Sequence, residues 1–173
     1  MIIAQQKRKE NIIEYLLYMW HIEDLMRAHR FDILQVREHI ISRFGQPENV
    51  LQQMDEWYGN LIRQMKEEEL QAGGHLHELD EQMHQLNDFH LNLINDLNEP
   101  DYRQAYHSAQ PCIAELKRKS KPGATEIEVC LNALYVLMTM RMKKTCPSAE
   151  TTEAIERFGR MLSLLNHRYM SRK

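Results

Sequence analysis

The chain has 173 residues, 43% of them hydrophobic and 27% charged, with a formal net charge of −3. That length is read as one domain, residues 1–173, with a core of its own. The mild acidity argues against a dedicated nucleic-acid binder, and the scarcity of breakers (six Gly, five Pro) argues against a turn-rich β fold.

The three cysteines, Cys112, Cys130 and Cys146, follow no paired spacing and are read as reduced thiols. The opening "MIIAQQKRKEN" is too short in its apolar part for a signal peptide, and its charges follow that part. The most apolar run, Val129–Met140, is too short to span a bilayer core of about 30 Å as a helix. The expectation is a soluble cytoplasmic protein with no membrane partner. Charge is uneven along the chain: residues 45–100 carry −10 and residues 101–173 carry +6.

Periodicity places helices in the following order. The first runs over about 4–29, with Ile12, Ile13, Leu16, Leu17, Met19, Trp20, Ile22 and Met26 covering more than half its circumference. The second starts at Asp32, a capping residue with Gln35 three positions on, and stops at "FGQPE". The third covers about 48–72 through Leu51, Met54, Tyr58, Leu61 and Met65. Gly73-Gly74 then reads as the joint of a central αα-hairpin, about 48–98, whose second arm carries the seam Leu76, Leu79, Met83, Leu86, His90, Leu93 and Leu97. A fifth helix, about 101–119, continues across Pro111. Thr125 with Glu128 forms a capping-box pattern before the sixth, which holds the apolar run. The seventh, about 149–170, has Ile155, Phe158, Leu162, Leu165 and Tyr169 on one stripe. No segment alternates with the period of a strand. The fold class is all-α, a bundle of six to seven helices.

The opening "IAQQKRKENIIEYLLYMWHIEDLMRAHRFD", Ile3 to Asp32, resembles the start of an uncharacterised bacterial family, a domain of unknown function that is all-helical and about as long as this chain. The resemblance implies a stand-alone soluble helical protein. It implies no activity, cofactor or catalytic residue.

Four places carry candidate chemistry. His77, Glu81 and His84 of "HLHELDEQMH" and Asp88 just after it recur at helical spacing, and Glu81 with His84 matches the Glu-x-x-His pair of di-iron bundles. Against the leucine seam, however, these residues take outward positions, so His77, Glu81 and His84 are metal candidates that read first as a solvated face. His90 differs because it occupies the seam itself, where a histidine is a core residue with a partner or a titratable ligand group. On the first helix, Glu14, Tyr18 and His21 form a polar line within an apolar stretch. Such a line needs water or a partner. These four residues, Glu14, Tyr18, His21 and His90, are the candidate ligand-binding set. Arg160 and His167, six residues between them, are weakly similar to the Arg-x4–6-His pair of HEPN-type nucleases. Met161 stands where those proteins often have a polar residue.

No phosphate-binding glycine loop and no nucleophile elbow occurs in the sequence. The leading expectation is a non-catalytic helical interaction or self-associating module, a homodimer with no cofactor and no catalytic residue. The alternatives are a metal-dependent helical enzyme and a HEPN-like ribonuclease.

Overall fold

The structure is a computed structural model and describes residues 2–172, with only the backbone of Ile2. The described residues hold eight α-helices, one 3-10 turn and no strand. The helices are α1 Ile2–Glu10, α2 Ile12–Ala28, α3 Ile33–His39, α4 Glu48–Glu67, α5 His77–Asn95, α6 Pro100–Lys119, α7 Glu126–Met142 and α8 Ala149–Met170. The 3-10 turn, Ile41–Phe44, follows α3.

The helix starts follow the capping residues seen in the sequence. Asp32 accepts from the Leu34 N–H at 2.9 Å and opens α3. Thr125 and Glu128 form a reciprocal capping box on α7, the Thr125 hydroxyl accepting from Glu128 N–H and the Glu128 carboxylate from Thr125 N–H. Thr125→Ala leaves the Glu128 N–H without this acceptor. It is expected to cost about 1 kcal/mol, measured as a shift in the urea midpoint with an unchanged slope.

The helix ends depart from the sequence reading. Three of them close in Schellman motifs whose left-handed residue is charged instead of glycine: Arg30 (φ 55°), Glu69 (φ 57°) and Lys144 (φ 56°). After α4, the Leu70 N–H returns to the Met65 carbonyl and the Glu69 N–H to that of Lys66, at 2.9 and 3.2 Å. The helix therefore ends at Glu67, before the Gly73-Gly74 pair that marked the stop in the sequence. The expected two-glycine joint is in fact the stretch 68–76. Leu97, placed on the seam, lies beyond the end of α5 and is 78% exposed. The long first helix is also two helices. The Ile12 N–H donates to Asn166 Oδ1 at 2.9 Å, which takes it out of the helical ladder between α1 and α2.

Contacts group the chain into two compact units: residues 1–9 with 14–80, and residues 10–13 with 81–173. In the first unit the buried side chains include Met19, Trp20 and Met26 of α2, Val36 of α3 and Tyr58, Leu61 and Met65 of α4. In the second, α6 packs most extensively on α8. Ala105 and Ala109 on α6 are buried small residues, and Phe158, Met161, Leu162 and Leu165 form the buried stripe of α8. The apolar residues of α7 form no single stripe, although Glu126, Glu128, Asn132, Thr139 and Arg141 interrupt them.

Candidate functional site

The second unit is built around one buried histidine. His90 of α5 is fully buried. Its Nδ1 lies 2.6 Å from the Tyr102 hydroxyl on α6, and its Nε2 lies 3.3 Å from Glu126 Oε2 at the start of α7. Tyr106, one turn beyond Tyr102, donates to Glu126 Oε1 at 3.4 Å. A neutral imidazole satisfies both contacts: the tyrosine hydroxyl donates to Nδ1, and Nε2–H donates to the carboxylate. Three helices are thereby tied at one point.

The electrostatics follow from burial and pairing. Hydrogen bonding from His90 holds the Glu126 carboxyl below the ordinary carboxylate value, with Tyr106 and the nearby Lys117 charge acting in the same direction against partial burial. Burial raises the Tyr102 hydroxyl well above its usual value, and Cys130, Glu126 and Tyr106 add to the rise. The Cys130 thiol is likewise pushed up by burial, which makes it an inert core residue and not a nucleophile. In an acyl-transfer triad the histidine faces a reacting hydroxyl and the carboxylate lies behind it. Here the order is inverted, because the carboxylate side chain is 24% exposed and the histidine is sealed. The network can orient Glu126 and lock three helices together, but it presents no activated nucleophile.

A groove of about 450 Å³ runs between the end of α6, the middle of α7 and the start of α8. Its floor is Val129, Ala133, Leu137, Ile155 and Phe158, and its rim carries Glu115, Lys119 and Glu150. Lys119 is already paired with Glu115 at 2.6 Å. Along the groove the apolar α7 is uncovered: Val136 is 56% exposed and Met142, at its end, 58%.

In the first unit the organising group is Glu23, whose side chain is fully buried. It accepts from His75 Nδ1 at 2.6 Å and from the Leu76 N–H at 2.9 Å. The His75 ring stacks on Trp20 at 4.4 Å between centroids. Arg27, one turn on, donates to the carbonyls of Leu70 and Gly74. Two charged residues of α2 thus hold the 68–76 connection in place.

A family model described as "Domain of unknown function (DUF4924)" matches residues 1–173. The chain belongs to this family. No curated protein matches the chain, and no solved structure does. The DUF4924 description assigns no reaction, so the side chains themselves carry the functional argument.

The residues singled out in this DUF4924 chain fall as follows. Glu14, Tyr18 and His21 belong to the first unit and His90 to the second. Glu14 is exposed and pairs with Lys7 at 2.7 Å. Tyr18 is half-buried, and burial together with the neighbouring Tyr58 raises its hydroxyl above the ordinary value. His21 is half-buried. His77, Glu81 and His84 are exposed on α5. Among the described residues, no three His, Cys, Asp or Glu side chains are grouped so as to hold a metal ion, and no helix is long and apolar enough to cross a membrane. Arg160 and His167 are both exposed on α8. Arg160 lines the cleft between α8 and α6.

Two groups escaped the sequence reading. Glu23 had a visible signal: it lies three residues after Trp20 and three before Met26, on the apolar stripe of its helix, so it had to be buried with a partner. Glu126 had none, since the first residue of a helix ordinarily faces water.

Proposed function

We propose that this chain is a non-catalytic, cytoplasmic interaction protein of bacteria that self-associates through the uncovered half of α7. The observation that carries the reading is the exposure of Val136 and Met142 on a helix whose apolar residues form no single stripe. A face of that kind beside a groove suits an amphipathic partner helix laid into it. The occupant is a second copy of the same chain. The apolar half of α7 ends in the exposed cations Arg141, Lys143 and Lys144. Matching negative charge is carried by the chain itself, at the exposed Glu150 on the groove rim. Charges so arranged steer and orient association, while the apolar face supplies its affinity. The free thiols, one of them buried, suit a reducing compartment.

Sedimentation velocity over a concentration series tests the reading. The expected species has twice the 20.7 kDa chain mass, and raising the salt weakens its formation by screening the complementary charges. A monomer at every concentration and salt overturns the proposal.

A further inference from the structure

The cleft that contains Arg160 is unlike the α7 groove. It measures about 520 Å³, within the range of roughly 300–1,000 Å³ typical of small-molecule sites. Its two walls are facing helices that carry polar side chains, with Ala105 and Leu164 the apolar part of the lining. α8 presents Arg157, Arg160 and Ser163 at successive turns, and α6 presents Asp101, Gln104 and Ser108. Five of these six side chains can donate hydrogen bonds.

The three arginines near this surface are not equivalent. Arg168 is held by both oxygens of Glu99 at 3.0 and 2.9 Å, and Arg157 by Glu153 at 2.6 Å. Arg160 pairs with no carboxylate among the described residues, and it lines the cleft together with the hydroxyl-bearing Ser163 of α8 and Ser108 of α6. We propose that the juxtaposition of Arg160 and Ser163 on α8 with Gln104 and Ser108 on α6 forms a binding site for the phosphate group of a small sugar phosphate, free or within a mononucleotide.

The chemistry favours phosphate over carboxylate. A tetrahedral phosphate presents three oxygens in different directions, so one wall supplies the guanidinium and the other the amide and hydroxyl. A planar carboxylate would meet the donors of one wall only. Asp101, the sole obligate acceptor at the cleft, repels a bare polyanion but accepts a sugar hydroxyl, as acidic residues do at nucleotide riboses. This assigns the phosphate to the Arg160 end and the sugar to the Asp101 end.

Calorimetric titration at low salt with ribose 5-phosphate, adenosine 5′-monophosphate, inorganic phosphate and ribose tests the site. The expected result is one site that binds the phosphorylated sugars, binds inorganic phosphate more weakly and ignores ribose. Preference between the first two probes shows whether the source is a free sugar phosphate or a nucleotide. Arg160→Gln is expected to weaken binding about tenfold or more, the effect of losing a charge-assisted pair of hydrogen bonds. Arg63→Gln, in α4 and outside the cleft, is expected to leave binding unchanged. Circular dichroism confirms folding of each variant, and Ser163→Ala serves in place of Arg160→Gln should that one unfold. Absence of binding by both phosphorylated sugars, equal binding of ribose, or undiminished binding in the cleft variant overturns the proposal. So does tighter binding of single-stranded RNA without a terminal phosphate through Arg160, which would make the site a backbone contact.

Discussion

His90→Ala is expected to destabilise the protein by about 4 kcal/mol, the sum of a cavity and an orphaned polar group. The imidazole is fully buried, so its removal leaves a void that α5, α6 and α7 can close only in part. The hydroxyl of Tyr102, a residue only 1% exposed, loses its acceptor, and Glu126 loses its donor from α5. In a chain of this size, thermal unfolding should move down by roughly 8–16 °C. A drop of only a degree or two would show that the three helices do not depend on this point.

The same substitution changes the acid response. Glu126 ordinarily titrates at 4.5, and in the folded chain its value is lower, with the His90 hydrogen bond the largest cause. A carboxyl with a depressed folded value contributes stability that is present above its unfolded value and is lost as pH falls through the folded one. Stability of the parent is therefore expected to fall more steeply below about pH 4.5 than that of His90→Ala, where most of the depression is gone. Urea midpoints between pH 3 and 6 check the difference. Parallel curves would contradict the assignment.

The second large effect belongs to Glu23. Glu23→Ala removes a fully buried carboxylate and strands the Leu76 N–H, while His75, 27% exposed, recovers water. The expected cost is about 3 kcal/mol, the usual scale for breaking one side of a buried charged pair. Hydrogen exchange gives a more specific readout. The amides of residues 68–76 should lose protection beyond what the global loss explains, because Glu23 with Arg27 holds that connection. Glu23→Gln keeps the acceptor for Leu76 but meets the His75 Nδ1–H with its own N–H₂ group in one of its two orientations. Its cost should be intermediate. Equal costs for Ala and Gln would mean that the charge matters here and the shape does not.

These residues also show what the sequence could and could not reveal. The all-α class was legible because apolar spacing of three and four persists through every long segment, and the caps at Asp32 and Thr125 marked true starts. Helix ends were less legible because Arg30, Glu69 and Lys144 adopt the left-handed conformation that sequence reading reserves for glycine. The backbone bonds to Met26, Met65 and Met140 hold them there. His90 was legible as a seam residue. Its partners were not, since Tyr102 is 12 and Glu126 36 positions away and only the fold of α5, α6 and α7 brings them together. The polar line Glu14, Tyr18 and His21 drew attention on α2, although the buried carboxylate of that helix is Glu23, on the stripe beside it. Exposure along α7 was also hidden. Val129–Met140 reads as uniform core, and only the packing of α6 and α8 shows which half is covered.

Self-association through α7 can be tested by comparing the parent chain with a variant of its exposed face. Sedimentation equilibrium of the parent chain and of Val136→Glu, at matched concentration and salt, separates the face from the rest of the molecule. Val136 is more than half exposed, so glutamate there should leave the fold and its melting unchanged. A charge buried in an apolar interface without a partner costs several kcal/mol. The account predicts a dimer for the parent and a folded monomer for the variant. A dimer of undiminished affinity in Val136→Glu would contradict it.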